Sequence, residues 1–325
     1  MDVHELKLLD DTLFEMAQSA DGRQLTSLLD DFGWLEVLTT DPDAAIRALF
    51  SAQGRTGHWS AGLHDVLAAD LGRIGVDGGA NVVLPRPKSS VAGVQRDDTV
   101  TVNGLLVGPR DVTSPLVLAV RPQDGDGFAI ISVDPSELAV IGRAGMDPGL
   151  DVSEVSGTVS GHVVVAQMEV ASSWWGVAQA RGRLALCHQI VGDLFVMIEQ
   201  ARWHVSERVQ FGRLVGTFQA VRHKLVEAYV ATTAAQCTAE TAWDSDDLWL
   251  AAATAKVVTG NAVSVTAAHT QQLLAGIGFT SEHPFHQFMK RALVLERLLG
   301  SANELAPQVG RSLIERGEAP RLVQL

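Results

Sequence analysis

Between Glu199 and Lys224 the chain reads EQARWHVSERVQFGRLVGTFQAVRHK, and this stretch holds the residues best equipped for ligand chemistry. The apolar set Leu194, Phe195, Ile198, Ala201 and Val205 recurs at three- and four-residue steps, the spacing of one helix face. A long helix is therefore expected to run to Arg208. Gly212 is placed to end that helix, and Gly216-Thr217 offers a start for the next. The break sets Arg208, Gln210, Phe211 and one or two unsatisfied backbone N–H groups at one corner. A guanidinium fork beside exposed amides suits a phosphate or pyrophosphate, because both supply fixed donors to several anionic oxygens. The plainer alternative is a surface ion pair between Arg208 and Glu207, which would contribute little.

A second run lies downstream: Gln272-Leu-Leu-Ala-Gly276-Ile-Gly278-Phe279-Thr280-Ser281-Glu282-His283-Pro284. Together the two runs resemble the acyl-CoA dehydrogenase family. Arg208, Phe211, Gly212, Phe218 and Gln219 match its R-x-x-F-G…F-Q segment. The later run matches Q-x-x-G-G-x-G-F-x-x-E, with Ala275 in place of the first glycine of the pair. The resemblance implies a set of residues for the ADP half of FAD. Arg208 would meet the pyrophosphate, Gln210 and Phe211 would give polar and stacking contacts, and Gln219 would hydrogen-bond nearby. Gln272 and the backbone at Ala275-Gly276 would meet the adenosine or phosphate side; a helix cap is the alternative for Gln272.

The texture of the chain fits an α+β, mostly α fold, with an N-terminal helical domain (1–80), a small antiparallel β domain (81–171) and a C-terminal four-helix bundle (172–325). Residues 2–72 carry helical stripes such as Leu6, Leu9, Leu13 and Leu25, Leu28, Leu29, broken at Gly33-Trp34. Val82 to Val170 changes to short Val-, Ile- and Thr-rich runs, with turns expected at Asn103-Gly104 and Gly125-Asp126-Gly127. From residue 173 to about 315 long Ala-rich helices return, followed by a short tail expected to be loose. His58 and His64 are expected to pack rather than bind metal, and Trp243 and Trp249 to pack at helix ends.

The reaction implied by the resemblance is α,β-dehydrogenation of an acyl-CoA thioester. It requires a carboxylate of raised pKa to take the α proton, with FAD accepting the hydride. That carboxylate is missing where the family places it. The matching turn is Leu298-Leu299-Gly300-Ser301, with Leu299 at the base position, and the other region offers Gly182 or Gln189. Asp193, Glu199 and Glu296 are nearby acids, expected to be solvated on helix surfaces. The catalytic residue is therefore unknown. The flavin-ring signature fails as well: Leu105-Leu106-Val107-Gly108 stands where the family has Trp-Ile-Thr/Ser, and the paired loop reads Leu84-Pro-Arg-Pro-Lys-Ser-Ser90.

A kept ADP grip and a lost base resemble one subunit of the bacterial α2β2 acyl-CoA dehydrogenases that act on steroid side-chain CoA thioesters. The resemblance then implies a non-catalytic partner that completes the FAD site of a catalytic subunit. The alternatives are a complete homotetramer with an atypical base, or a non-redox scaffold or acyl-CoA-binding subunit. A net charge of −13 opposes nucleic-acid binding. Cys187 and Cys237 lack metal spacing and are expected to be buried free thiols, which fits a cytoplasmic protein. No uninterrupted apolar run of about twenty residues suggests a membrane span.

Overall fold

The computed structural model describes residues 1–72, 80–109, 113–123, 128–160 and 162–317. The turn expected at Gly125–Gly127 and most of the tail lie outside them. Two units make up the chain, Met1–Leu49 with His58–Ala185, and Phe50–Gly57 with Leu186–Leu325.

In the first unit, helices α1 (Val3–Ser19), α2 (Gly22–Phe32), α3 (Trp34–Thr40), α4 (Pro42–Thr56, which continues into the second unit) and α5 (Gly62–Leu71) come first. Asp2 and Glu5 form a capping box at the start of α1, satisfying donors that a helix start leaves open. Gly33, left-handed at φ 81°, separates α2 from α3, the Gly-Trp break read from the sequence. His64 is buried and its Nδ1 accepts from the Val82 amide at 3.1 Å, so it is a packing residue.

Strands follow: β1 (Asn81–Pro85), β2 (Gly93–Arg96), β3 (Thr99–Val107), β4 (Leu116–Pro122), β5 (Ala129–Val133), β6 (Ala139–Arg143), β7 (Val152–Val159) and β8 (Val163–Gln167). They form a largely antiparallel sheet in the order β6-β7-β3-β1-β4-β5-β8. β1 and β2 share one lane between β3 and β4, both antiparallel to β3 and parallel to β4. Val83, Val100, Val102, Leu118, Ile131 and Val155 fill the core beneath the sheet. Burying each such side chain stabilises by about 2 kcal/mol.

Asn103-Gly104 is not a turn; both residues lie within β3. A Cβ on Gly104 would come within 2.4 Å of Val83 Cγ1 and 2.7 Å of the Leu84 carbonyl oxygen, so the glycine answers the close passage of β1. Arg86, from the Pro-Arg-Pro loop, turns back onto the sheet. It donates to Asn103 Oδ1 and, at 3.1 Å, to Glu154, which also accepts from Arg143 at 2.9 Å. Hydrogen bonds from Arg143 and then Arg86 hold the Glu154 carboxyl below its usual range.

The second unit takes α6 (Met168–Glu207) from Leu186 onward, then the small strands β9 (Val209–Gln210) and β10 (Arg213–Leu214) and the helices α7 (Gln219–Thr241), α8 (Leu248–Leu274), α9 (Phe285–Arg297) and α10 (Ala302–Arg316). Leu194, Ile198, Ala201 and Val205 of α6 are buried as the periodicity requires. Ala228, Thr232, Ala235 and Ala239 form the buried stripe of α7. Thr232 and Thr266 meet hydroxyl to hydroxyl at 3.1 Å between α7 and α8, a contact that short side chains permit. Cys187 is buried, but Cys237 is exposed, because it lies two residues past Ala235 on the opposite face of α7.

Lys256 of α8 is fully buried, and its ammonium donates to the Leu295 and Glu296 carbonyls at 3.2 and 2.6 Å. It thereby satisfies acceptors that the end of α9 leaves open. Glu169–Glu207 and Leu248–Phe279 are long and apolar enough to cross a membrane, yet 78% and 56% of their most apolar stretches are buried in the protein. Core helices of this length carry the same composition.

Candidate nucleotide-binding corner

The end of α6 is not the simple break expected from the sequence. The helix stops at Glu207, and β9 and β10 pair in a two-stranded hairpin with Gln210 opposite Arg213 and Val209 opposite Leu214. Phe211 and Gly212 form its tip with φ 53° and 75°. Two successive left-handed residues suit a tight hairpin turn, so Gly212 serves the hairpin rather than the helix end. The Val215 amide donates to the Arg208 carbonyl at 2.8 Å and closes the hairpin base. α7 then begins at Gln219 with no side-chain cap on its first turn.

Around this turn lies a cavity of about 450 Å³. His204, Arg208 and Gln210 line it from the end of α6 and the hairpin, Ala220 and Lys224 from the start of α7, and Gln272 and Ala275 from the end of α8. The uncapped start of α7 brings backbone N–H groups and the positive end of a helix dipole to the wall. The Arg208 and Lys224 side chains have no hydrogen-bond or ion-pair partner among the described residues. The pair between Arg208 and Glu207 is not formed. Arg202, earlier on α6, is clamped on Glu199 instead. Two open cations at its wall give this cavity local positive charge on a chain of net charge −13. Burial, with Arg208 and then His283 nearby, pushes the His204 imidazole below its ordinary value, so it stays neutral near pH 7.

Four of the residues singled out by sequence, Arg208, Gln210, Gln272 and Ala275, thus line one cavity. Phe211, Gln219 and Gly276 are exposed beside it. Phe211 is 93% exposed and meets Phe218 edge-on with centroids 6.4 Å apart. His204 and Lys224 are wall residues that the sequence reading does not single out. Their signal is spacing: His204 stands four residues before Arg208 on one helix face, and Lys224 one turn beyond Ala220.

Ala275 has φ 52° and ψ −134°, a region otherwise kept for glycine. It also lines a second, more apolar cavity of about 580 Å³, which shares Gln272 and adds Gln271, Phe279 and Met289. His283 Nδ1 meets the start of α9, accepting from the Phe285 amide at 3.1 Å.

The positions that could have held a base are apolar or already engaged. Leu299 is 4% exposed, with φ 57°. Gln189 is fully buried. Glu199 is exposed and clamped by Arg202, and Glu296 accepts from the Ala302 amide at 2.8 Å and pairs with Arg297 at 3.2 Å. Asp193 is not solvated as expected but completely buried, because it shares the inward face of α6 with Ile190, Leu194 and Met197. In the first unit, Ser89 Oγ donates to the Val91 carbonyl at 2.7 Å, so that hydroxyl is used within its own turn. Among the described residues no group of three or more His, Cys, Asp or Glu is arranged for a metal.

The family model "Acyl-CoA dehydrogenase, C-terminal domain" matches residues 176–314. Acyl-CoA dehydrogenase IpdE2 of Mycobacterium tuberculosis is 38% identical over 130 residues, 40% of this chain and 40% of that protein. The matched stretches span 33–41% of the length of the first three curated relatives. The ChsE4-ChsE5 complex of Mycobacterium tuberculosis superposes with a TM-score of 0.78 at 19% identity, covering 99% of both chains. The Tcur3481-Tcur3483 steroid ACAD G363A variant gives 0.76 at 21% identity, covering 97% of this chain and 98% of that one. Residues 176–314, which carry this corner, thus match the model of an acyl-CoA dehydrogenase C-terminal domain, and the whole chain has the acyl-CoA dehydrogenase fold.

Proposed function

We propose that this chain is a subunit of an FAD-dependent acyl-CoA dehydrogenase acting on acyl-CoA thioesters of the steroid side-chain class. In this reading it is the non-catalytic partner in a cytoplasmic α2β2 complex, and its three domains divide near residues 80 and 171. The observation that carries the proposal is the contrast within the second unit. Arg208, Lys224, Gln210 and Gln272 surround a cavity suited to a diphosphate, while Leu299 is apolar and buried. The residues present fit the ADP half of FAD: two open cations for the diphosphate, amides beside them, and an uncapped helix start. Bound FAD would supply the hydride acceptor. This chain's part is to hold the nucleotide tail, Arg208 and Lys224 neutralising phosphate oxygens while Gln210, Phe211, Gln219, Gln272 and the Ala275-Gly276 backbone orient the remainder. The two-protein complexes among the structural neighbours support a partner subunit.

Co-expression with a catalytic acyl-CoA dehydrogenase subunit tests the proposal. The complex should carry flavin and dehydrogenate acyl-CoA, the lone chain should do neither, and Arg208→Ala should strip flavin from the complex. A yellow, active preparation of this chain by itself would overturn it. One observation favours a second reading, a complete enzyme with an atypical base: Asp193 is an acid in a fully buried setting, the environment that a proton-accepting carboxylate needs. Loss of activity in Asp193→Asn with flavin content unchanged would support that reading.

A further inference from the structure

On α7 the acid nearest to Lys224 in sequence is Glu227, and no other acid follows before Glu240. A lysine and a glutamate three residues apart are neighbours on a helix surface, and a pair there would take positive charge away from the cavity wall. Glu227 is engaged elsewhere. Its Oε2 lies 2.8 Å from Nε2 of His269 on α8, while the Lys224 ammonium has no partner among the described residues. A carboxylate only accepts, so the proton of this bond sits on the histidine nitrogen. The bond joins the two helices about one turn from Lys224 and Gln272, which line the basic cavity. The imidazole is largely covered, at 20% exposure, whereas the carboxylate is 61% exposed and is held by this bond rather than by packing. Arg222, a second cation on that turn of α7, already donates to the Gly216 carbonyl at 2.9 Å.

We propose that His269 is a positioning residue: by holding the Glu227 carboxylate it keeps Lys224 unpaired and open to an anion in the cavity. The proposal rests on the reading of this chain as the partner that completes an FAD site. Without the imidazole donor, Glu227 would pair with Lys224 or stand as a second negative charge beside the bound phosphates, and either opposes anion binding. His269 touches no ligand in this scheme. It acts through Glu227.

Titration of FAD into the deflavinated, co-expressed complex, followed by flavin fluorescence, tests this. His269→Ala should weaken FAD binding about threefold. His269→Gln, whose amide can still donate to Glu227, should bind as the wild type does. Adding Glu227→Gln to His269→Ala should restore the affinity, a rescue that a merely structural histidine would not show. Lys224→Met, in the same assay, should weaken FAD roughly tenfold. If His269→Ala binds FAD as before, or its loss persists in the double variant, the inference fails, and a Lys224→Met effect then leaves the nucleotide reading standing. If the complex takes up no FAD, both fail.

Discussion

Phe211 in the hairpin and Leu299 in the turn between α9 and α10 hold nearly the same left-handed backbone, φ 53° and 57°, yet Phe211 is 93% exposed and Leu299 only 4%. Such a backbone costs a non-glycine residue about 1–2 kcal/mol. At Leu299 the cost is offset inside the chain. The side chain is buried, Ser301 and Glu304 form a capping box at the next helix, and Lys256 grips the carbonyls just before the turn. At Phe211 the visible offset is an edge contact with Phe218, whose face also meets the Arg213 guanidinium at 4.0 Å. A strained turn can thus persist on contacts within the chain. One that stays exposed, beside open cations, has the character of a recognition corner.

Breaking the packed turn should give the largest effect. Lys256→Met keeps the stem but leaves two buried carbonyls unmet, and should lower unfolding stability by about 3 kcal/mol in urea titrations. An unchanged midpoint would show that Lys256 does not hold that turn. Next comes the corner itself. Arg208→Ala should weaken ADP binding by roughly 30-fold, about 2 kcal/mol, with stability nearly unchanged because the guanidinium has no partner in the chain. An equal loss of stability would class Arg208 with the packed turn instead.

Ala275→Gly should raise stability by about 1 kcal/mol, since relief of the strained backbone outweighs the added freedom of the unfolded chain. A lower melting temperature would show that Ala275 is held without strain.

The smallest effect is a pH dependence. The His204 imidazole is pushed below its ordinary value of 6.5 in the folded chain, so its contribution to stability is complete above that pH and is lost as pH falls through the folded value. A bound diphosphate reverses the preference, because it favours the protonated ring. ADP affinity should therefore rise a few-fold as pH falls below about 6.5, and His204→Phe should flatten the profile. A flat wild-type profile would place His204 outside the anion's reach.

Most of the fold was legible in the sequence because amphipathic spacing is local: the stripes on α1, α2 and α6 are buried except at Leu6, Leu28 and Phe195, which lie half-buried at their edges. What failed depended on the approach of distant segments. Asn103-Gly104 carries a turn signature but lies in a strand, since only the passage of β1 reveals why glycine is needed. Asp193 looked like a surface acid because the sequence does not say which face of a 40-residue helix is covered. The hairpin after Glu207 hid behind a helix-ending glycine, and Lys224 and Gln271 gained meaning when α7 and α8 brought them to the cavity walls. Arg208 and Gln272 were readable because they sit in long motifs.

The single lane shared by β1 and β2 has a consequence for how this sheet can vary. Opposite the gap, Asn103 of β3 donates its amide to the Ala92 carbonyl, and Ala119 of β4 accepts from the Ala92 amide, so both neighbours stay bonded across the interruption. Residues 86–92 can therefore lengthen, or take up further prolines, without shifting the register of either flanking strand. An insertion there would enter the middle of the sheet without creating a new edge.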